Sequence, residues 1–332
     1  GQVLCHDITQ IIPGVTKDAV FRKGHIITKE DIPVLLSVGK EHIYIWEKDE
    51  HMLHENEAAQ ILYEMCRNEH MHPSAVKEGK IELIADCDGL FKVDREKLRK
   101  VNSLGEMMIA SRHGDFPVKK GDKIAGTRII PLVIEKSKMD KAEKVTGTKP
   151  IFSILPYRSK KVGIITTGSE VQKGLIKDTF TPVLKEKLDE FSCQILGQTL
   201  PGDERSQITS DILSFIDQGA DMVICSGGMS VDPDDRTPGA IKDTGAEVVT
   251  YGAPVLPGAM LLLSYYQNND KIIPILGLPG CVMYARRTVF DLILPRIMAD
   301  DRICADEIAS YGEGGLCLNC DVCTFPNCGF GK

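Results

Sequence analysis

No stretch of this 332-residue chain is apolar over anything near the roughly 18 residues that a membrane-spanning helix requires. Nor does its start carry the basic, apolar and small-residue succession of a signal peptide. Positive charge is scarce as well. The 40 Lys and Arg against 47 Asp and Glu leave a net charge of −7 and a pI near 5.7. That balance argues against a general nucleic-acid surface, which wants a basic footprint. A disulfide framework is missing too. The 11 cysteines are an odd number, and those outside the C-terminal run are scattered, so a reducing cytoplasm is the expected compartment. No nucleophile stands beside an evident base. The chain opens on Gly1 rather than Met, from which a trimmed or replaced N-terminus is expected.

What is present is ordinary in bulk and unusual in two places. Hydrophobic content of 42% and charged content of 26% are those of a soluble globular protein, and the length suits two or three domains. The first unusual place is the end of the chain. Cys317, Cys320, Cys323 and Cys328 follow a C-x2-C-x2-C-x4-C spacing, which lets one short loop wrap its sulfurs about a single centre. Four thiolates hold a tetrahedral zinc or a cubane iron–sulfur cluster. Local disulfides are the rival reading, and stray core cysteines the plainest one. The compact run of three leans the metal reading toward iron–sulfur.

The chain changes character near residue 155. Before it, a short helix is expected up to Gly39, then a strand over 42–46 and an amphipathic helix over 55–70. A mostly β stretch follows from 81 to 135, and the polar, aperiodic segment 136–149 reads as a linker. His51, His54, Cys66, His70 and His72 are read as a solvated helix face rather than as metal ligands. From 161 onward strands and helices alternate. Strands are expected at 162–166, 194–200, 222–225, 247–251 and 272–276, and helices at 180–191, 203–218, 238–243 and 281–298. Ile208, Ile212, Phe215 and Ile216 form the stripe of a helix lying on a sheet. The expected fold is α/β, a three-layer domain with a parallel sheet covered on both faces. The expected domains are 1–150, 155–302 and a cysteine-rich tail over 303–332.

The second unusual place is a set of strand ends. Three strands run into glycine-bearing turns: Thr166-Thr167-Gly168-Ser169-Glu170, Ser226-Gly227-Gly228-Met229-Ser230, and Gly277-Leu278-Pro279-Gly280 before a helix. In a parallel sheet all three fall on one carboxyl edge, where ligands bind. Glycine lets backbone approach a ligand closely, and amides at a helix start favour anions. Asp232, Asp234 and Asp235 stand beside the second turn, where carboxylates suit a hard cation bridging to phosphate. Thr237 with Pro238 reads as a helix start, and Asp203 opens the next helix, either as an N-cap or as a ligand-site residue.

These motifs, in this order, resemble the molybdopterin-binding domain of molybdenum-cofactor biosynthesis proteins of the MoeA, MogA and MoaB type. The resemblance covers about 161–299, from Thr167-Gly168-Ser169-Glu170-Val171 to Leu278-Pro279-Gly280. It implies that Thr167, Gly168, Ser169, Glu170, Ser226, Gly227, Gly228, Ser230, Pro279 and Gly280 cradle molybdopterin or adenylyl-molybdopterin. It further implies that Asp203 and Asp235 act catalytically, with Asp232 helping to place a magnesium ion, and that molybdate is inserted into the adenylate. A homo-oligomer is expected, with no nucleic-acid or membrane partner. The chain also departs from the molybdotransferases: Phe180 and Cys281-Val282 replace an asparagine and an Asn-Pro pair. Their Asp-Arg-Ser-Ala-Met-Asp-Gly segment and C-terminal β domain have no counterpart here. A carrier that hands finished cofactor to a molybdoenzyme therefore stands as an alternative, as does a nucleotide pyrophosphatase.

Overall fold

The computed structural model describes all residues except 45–48, 176, 231, 233 and 234. Two compact units divide the chain. The first takes 1–87, 92–112 and 119–154, and the second 88–91, 113–118 and 155–332.

The first unit is α+β. Its centre is a four-stranded antiparallel sheet in the order Met71–Pro73, Ile81–Ala85, Lys123–Ile129, Met107–Ser111. Helix Glu55–Cys66 packs on it through Ala58, Leu62 and Met65, all buried. Segment 136–149, expected as a linker, is instead helical over Lys136–Thr146. Its buried residues, Met139, Ala142 and Thr146, make a stripe too sparse and too small to register as apolar periodicity. Of the strand expected over 42–46, residues 42–44 are irregular and 45 and 46 lie outside the described residues. The histidines here have structural work. His54 caps helix Glu55–Cys66 by accepting from the Asn56 amide, and its Nε2 meets the Cys5 carbonyl oxygen at 2.8 Å. His72 Nδ1 pairs with Asp86 at 2.5 Å, and Cys66 is fully buried.

The second unit holds a six-stranded sheet, with strands β1 (Lys161–Thr166), β2 (Gln194–Thr199), β3 (Met222–Ser226), β4 (Glu247–Tyr251), β5 (Leu262–Asn268) and β6 (Lys271–Leu278) in the order β2-β1-β3-β6-β5-β4. The pairs β1–β2, β1–β3 and β3–β6 are parallel, as the strand–helix alternation implies. Strand β5, absent from the sequence reading, runs antiparallel to both neighbours. It joins β6 through a two-residue turn at Asn269-Asp270, where Asn269 takes φ +52°.

Strand side chains alternate between two cores, as period-two geometry requires. Val162, Ile164, Met222 and Ile224 point into one, together with helices α2 (Phe180–Asp189) and α5 (Val289–Met298), while the short helix α1 (Ser169–Gln172) follows β1. Ile165, Val223 and Cys225 point into the other, covered by α3 (Arg205–Asp217) and α4 (Thr237–Asp243). The domain is thus three layers. A Cβ at Gly163 would lie 2.4 Å from the Phe215 ring, so the α3 layer sits on β1 only because that position is glycine.

The helix expected over 281–298 is broken. A 3-10 turn spans Gly280–Met283, and α5 begins afresh at Val289. Thr288 caps α5 reciprocally with Asp291, an N-terminus signal more specific than the apolar run that hid it. Strand β6 also continues through Gly277 and Leu278, where the sequence predicts a turn. No helix among the described residues is long and apolar enough to cross a membrane.

Candidate functional site

The parallel strands deliver their glycine turns to one edge, and the turns are tied to each other before any ligand is considered. The Thr167 amide donates to the Ser226 carbonyl at 2.8 Å. Thr237 is fully buried, and its hydroxyl donates to the Gly227 carbonyl at 2.9 Å and meets the Thr167 hydroxyl at 3.1 Å. Its expected N-capping role is therefore not the one it fills: helix α4 has no side-chain cap, and Thr237 knots two loops together. Ser226, also fully buried, points its hydroxyl at Thr166. Thr167 and Ser226 are thus committed to the scaffold through their hydroxyls, whereas Ser230 lines open space.

Glycine is required at the second turn. Gly227 takes φ +87° and Gly228 φ +56°. A Cβ at Gly227 would fall 2.5 Å from the Thr167 carbonyl oxygen, and one at Gly228 would fall 2.8 Å from the Thr237 hydroxyl. Gly280 differs. No atom lies within 4 Å of the position its Cβ would take, so the protein itself does not demand glycine there.

Two adjoining cavities open at this edge and share Phe180, Gly228 and Asp235 in their walls. The smaller, about 510 Å³, is lined by Thr166, Thr167 and Gly168 and by five carboxylates: Glu170, Asp178, Asp203, Asp232 and Asp235. Lys177 is the cation among its described lining residues. The larger, about 700 Å³, is mostly apolar, with Met229, Leu256, Pro257, Met260, Pro279 and Tyr284 in its wall beside Ser230, Cys281 and Cys317. Both volumes are in the range of small-molecule and cofactor sites.

The carboxylates are not equivalent. Asp203 lines the acidic cavity and does not cap the helix that follows, whose N-cap position is Glu204. One of its oxygens accepts from both the Ser169 amide at 2.9 Å and the Ser169 hydroxyl at 2.5 Å, holding the first turn in shape. Asp178 heads α2. It accepts from the amides of Phe180 and Thr181 and from the Gln198 side chain. Burial would raise its pKa, but these donors outweigh burial and hold the carboxyl below its ordinary value. Asp235 is half-buried, and the Asp232 amide reaches one of its oxygens at 3.3 Å. Asp234 lies outside the described residues. Tyr251 donates to the Met229 and Ser230 carbonyls at 3.0 and 3.3 Å, pinning the second turn; burial and the Asp235 charge raise its pKa. Cys281 is half-buried at the mouth of the larger cavity, and burial raises its thiol pKa.

Sequence reasoning missed Lys177, Asp178, Gln198 and Tyr251, together with the 256–260 loop. The turn dipeptide Pro257-Gly258 was the available signal for that loop. Among the described residues no three His, Cys, Asp or Glu side chains converge as a metal site, in the acidic cavity or at the tail cysteines.

With this geometry in place, comparison with known proteins assigns the domain. Residues 163–299 match the family described as "Probable molybdopterin binding domain", and residues 1–47 match a domain of unknown function, DUF8806. A molybdopterin molybdenumtransferase of Synechococcus elongatus is 25% identical over 193 residues, 56% of this chain and 44% of that protein. The enzyme of the same name from Haemophilus influenzae is 28% identical over 189 residues, 54% and 43% of the two chains. A CinA-like protein of Mycolicibacterium gilvum is 37% identical over 79 residues, 24% of this chain and 19% of that protein. Among solved structures, a tungsten cofactor synthesizing protein MoaB from Pyrococcus furiosus is 17% identical, with a TM-score of 0.37, over 44% of this chain and 99% of its own. The chain spans less than half the length of the curated transferases it matches. The likeness to the probable molybdopterin binding domain is thus carried by residues 163–299, the region that forms this sheet and its glycine turns.

Proposed function

We propose that this edge binds molybdopterin or its adenylate and that the protein acts late in molybdenum-cofactor biosynthesis, inserting molybdate. The observation that carries this reading is the paired cavity, which meets at Gly228 and Asp235 and divides its chemistry sharply. The larger, apolar chamber suits a flat ring system. The smaller presents hydroxyls, backbone and carboxylates to a phosphate or nucleotide end.

Five carboxylates against Lys177 repel a bare phosphate, so that chamber needs a cation as well as a ligand. Magnesium fits this donor set, because it is usually held by one or two carboxylates, waters and substrate phosphates rather than by an all-protein cage. Asp235 and Asp232 would hold it; when bound it would neutralise phosphate charge and polarise oxygen. Asp203 then acts as a positioning residue through Ser169, and Asp235, which lines both chambers, would be the carboxylate that acts at the reacting end.

The test is pterin content after anaerobic purification from a molybdopterin-producing host, then turnover of adenylyl-molybdopterin with molybdate. The wild-type chain is expected to carry near-stoichiometric pterin, Gly228→Asp to lose it, and Asp235→Asn to keep it while losing turnover. Absence of pterin from the wild type, with none taken up on addition, would sink the reading. A carrier role is the second reading, favoured by the commitment of Asp203 to its own loop. Pterin retention without any turnover would select it.

A further inference from the structure

The cysteine run is not a loose tail. Its ends are closed by the Gly331 amide donating to the Gly314 carbonyl at 2.9 Å, and Cys317 is anchored through its amide to the Leu256 carbonyl at 2.8 Å. Phe330 is 4% exposed, so the loop is rooted in the unit's apolar core. Within this closed loop, all four cysteines line a single cavity of about 450 Å³. All 11 cysteines are free thiols, so none of the four is spent in a disulfide.

The same cavity is lined by two cations, Arg286 and Arg287. Arg286 reaches across to the loop and donates to the Asp321 carbonyl at 2.7 Å and the Cys320 carbonyl at 3.4 Å. Arg287 lies over the Phe325 ring at 5.0 Å and is itself held by Asp291 at 2.8 Å. Positive charge and N–H donors beside clustered cysteines suit an anionic group held among them.

Spacing discriminates between the metals. Structural zinc sites pair two separate Cys-x2-4-Cys steps, whereas a compact C-x2-C-x2-C run is the kind that iron–sulfur clusters use. Among the described residues no three potential ligands already converge, so assembly has to draw the four thiols together. We infer that Cys317, Cys320, Cys323 and Cys328 hold a four-iron, four-sulfide cluster in the cavity beneath Arg286 and Arg287. Each thiol ligates as thiolate and releases its proton to solvent. Cys317 also lines the larger ligand cavity, so the cluster forms part of that cavity's wall. The inference stands on the loop and its cations and does not depend on what the larger cavity binds.

The test is iron and acid-labile sulfide content of the full chain after anaerobic purification and after reconstitution with a ferric salt, a thiol reductant and sulfide. About four irons and four sulfides per chain are expected, with a visible absorption that bleaches on exposure to air. Cys323→Ser should lower the iron at least fourfold, while Cys281→Ser, a thiol of the neighbouring cavity alone, should keep it. If Cys323→Ser fails to fold, Cys320→Ser, at an exposed position, carries the same expectation. One zinc per chain with no retained iron would overturn the inference, as would no metal under either condition or loss of iron in Cys281→Ser. Pterin content measured on the same samples separates failure here from failure of the pterin reading.

Discussion

At the scale of single residues, the ligand edge is held by a knot of small side chains that leaves no room for substitution. Thr167, Gly227, Gly228 and Thr237 interlock within 3.3 Å through hydroxyl, amide and carbonyl contacts, and two of the four sit at positive φ. Adding one methyl at Gly227 places carbon 2.5 Å from the Thr167 carbonyl oxygen in a left-handed conformation that L side chains avoid. Gly227→Ala is therefore expected to cost about 1–3 kcal/mol in urea denaturation. Gly280→Ala makes the contrasting prediction. Its methyl meets nothing in the protein, so stability should change by less than about 0.5 kcal/mol. That methyl would enter the larger cavity, however, and pterin occupancy should fall. Equal stability losses in the two variants would show that the glycines serve only the fold. The contrast separates a glycine kept for the chain from one kept for its ligand.

At the scale of elements, helix α5 is the joint between the sheet and the cysteine loop, and its start carries most of the charge chemistry nearby. Asp291, buried in its first turn, accepts from Lys187 at 2.6 Å and Arg287 at 2.8 Å, and it caps the Thr288 amide at 2.8 Å. Removing the Thr288 hydroxyl loses one cap bond, about 1 kcal/mol. Asp291→Ala leaves two cations facing each other without their anion and should cost about 3 kcal/mol or more. Thermal or urea melts of both variants check the order, and a smaller loss for Asp291→Ala would overturn it. This joint also shows where reading from sequence ran out. The apolar run from Val289 to Met298 is legible in the sequence, but its periodicity masks the Arg286-Arg287-Thr288 break, which only the Thr288/Asp291 capping pattern marks. Strand β5 was lost for a related reason: Leu261-Leu262-Leu263 shows no alternation, being buried on both faces, and the Asn269-Asp270 turn was its only punctuation. The glycine turns, by contrast, were legible because positive φ and close packing leave few other residues possible. The acidic residues were found as a group, but their separate roles depend on contacts between Asp203 and Ser169 that lie 34 positions apart.

At the scale of the whole molecule, stability at low pH should be set by carboxyls held below their ordinary pKa. In the second unit these include Asp178, Asp221 and Glu307. Burial opposes each shift, but hydrogen bonds and nearby cations outweigh it. In the first unit Glu82 is drawn down to about 2 by hydrogen bonds from Lys123 and Lys80. A carboxyl whose folded pKa is depressed contributes stability that is complete above its unfolded value, near 4, and lost as pH falls through the folded one. The thermal midpoint is therefore expected to be flat from pH 7 to about 5 and to fall steadily below about 4.5. The donors differ in kind, and salt should expose the difference. Glu82 is partly exposed and answers to lysine charges, which about 0.5 M salt screens to within a few ångströms. Asp178 accepts from neutral amides of Phe180, Thr181 and Gln198, which salt does not screen. High salt should thus soften the acid loss traced to Glu82 and leave the part traced to Asp178 in place. Asp178→Asn should remove that salt-independent part while leaving the midpoint's salt response otherwise unchanged. A variant whose acid limb matched the wild type at both salt concentrations would show that the α2 cap contributes nothing to acid stability.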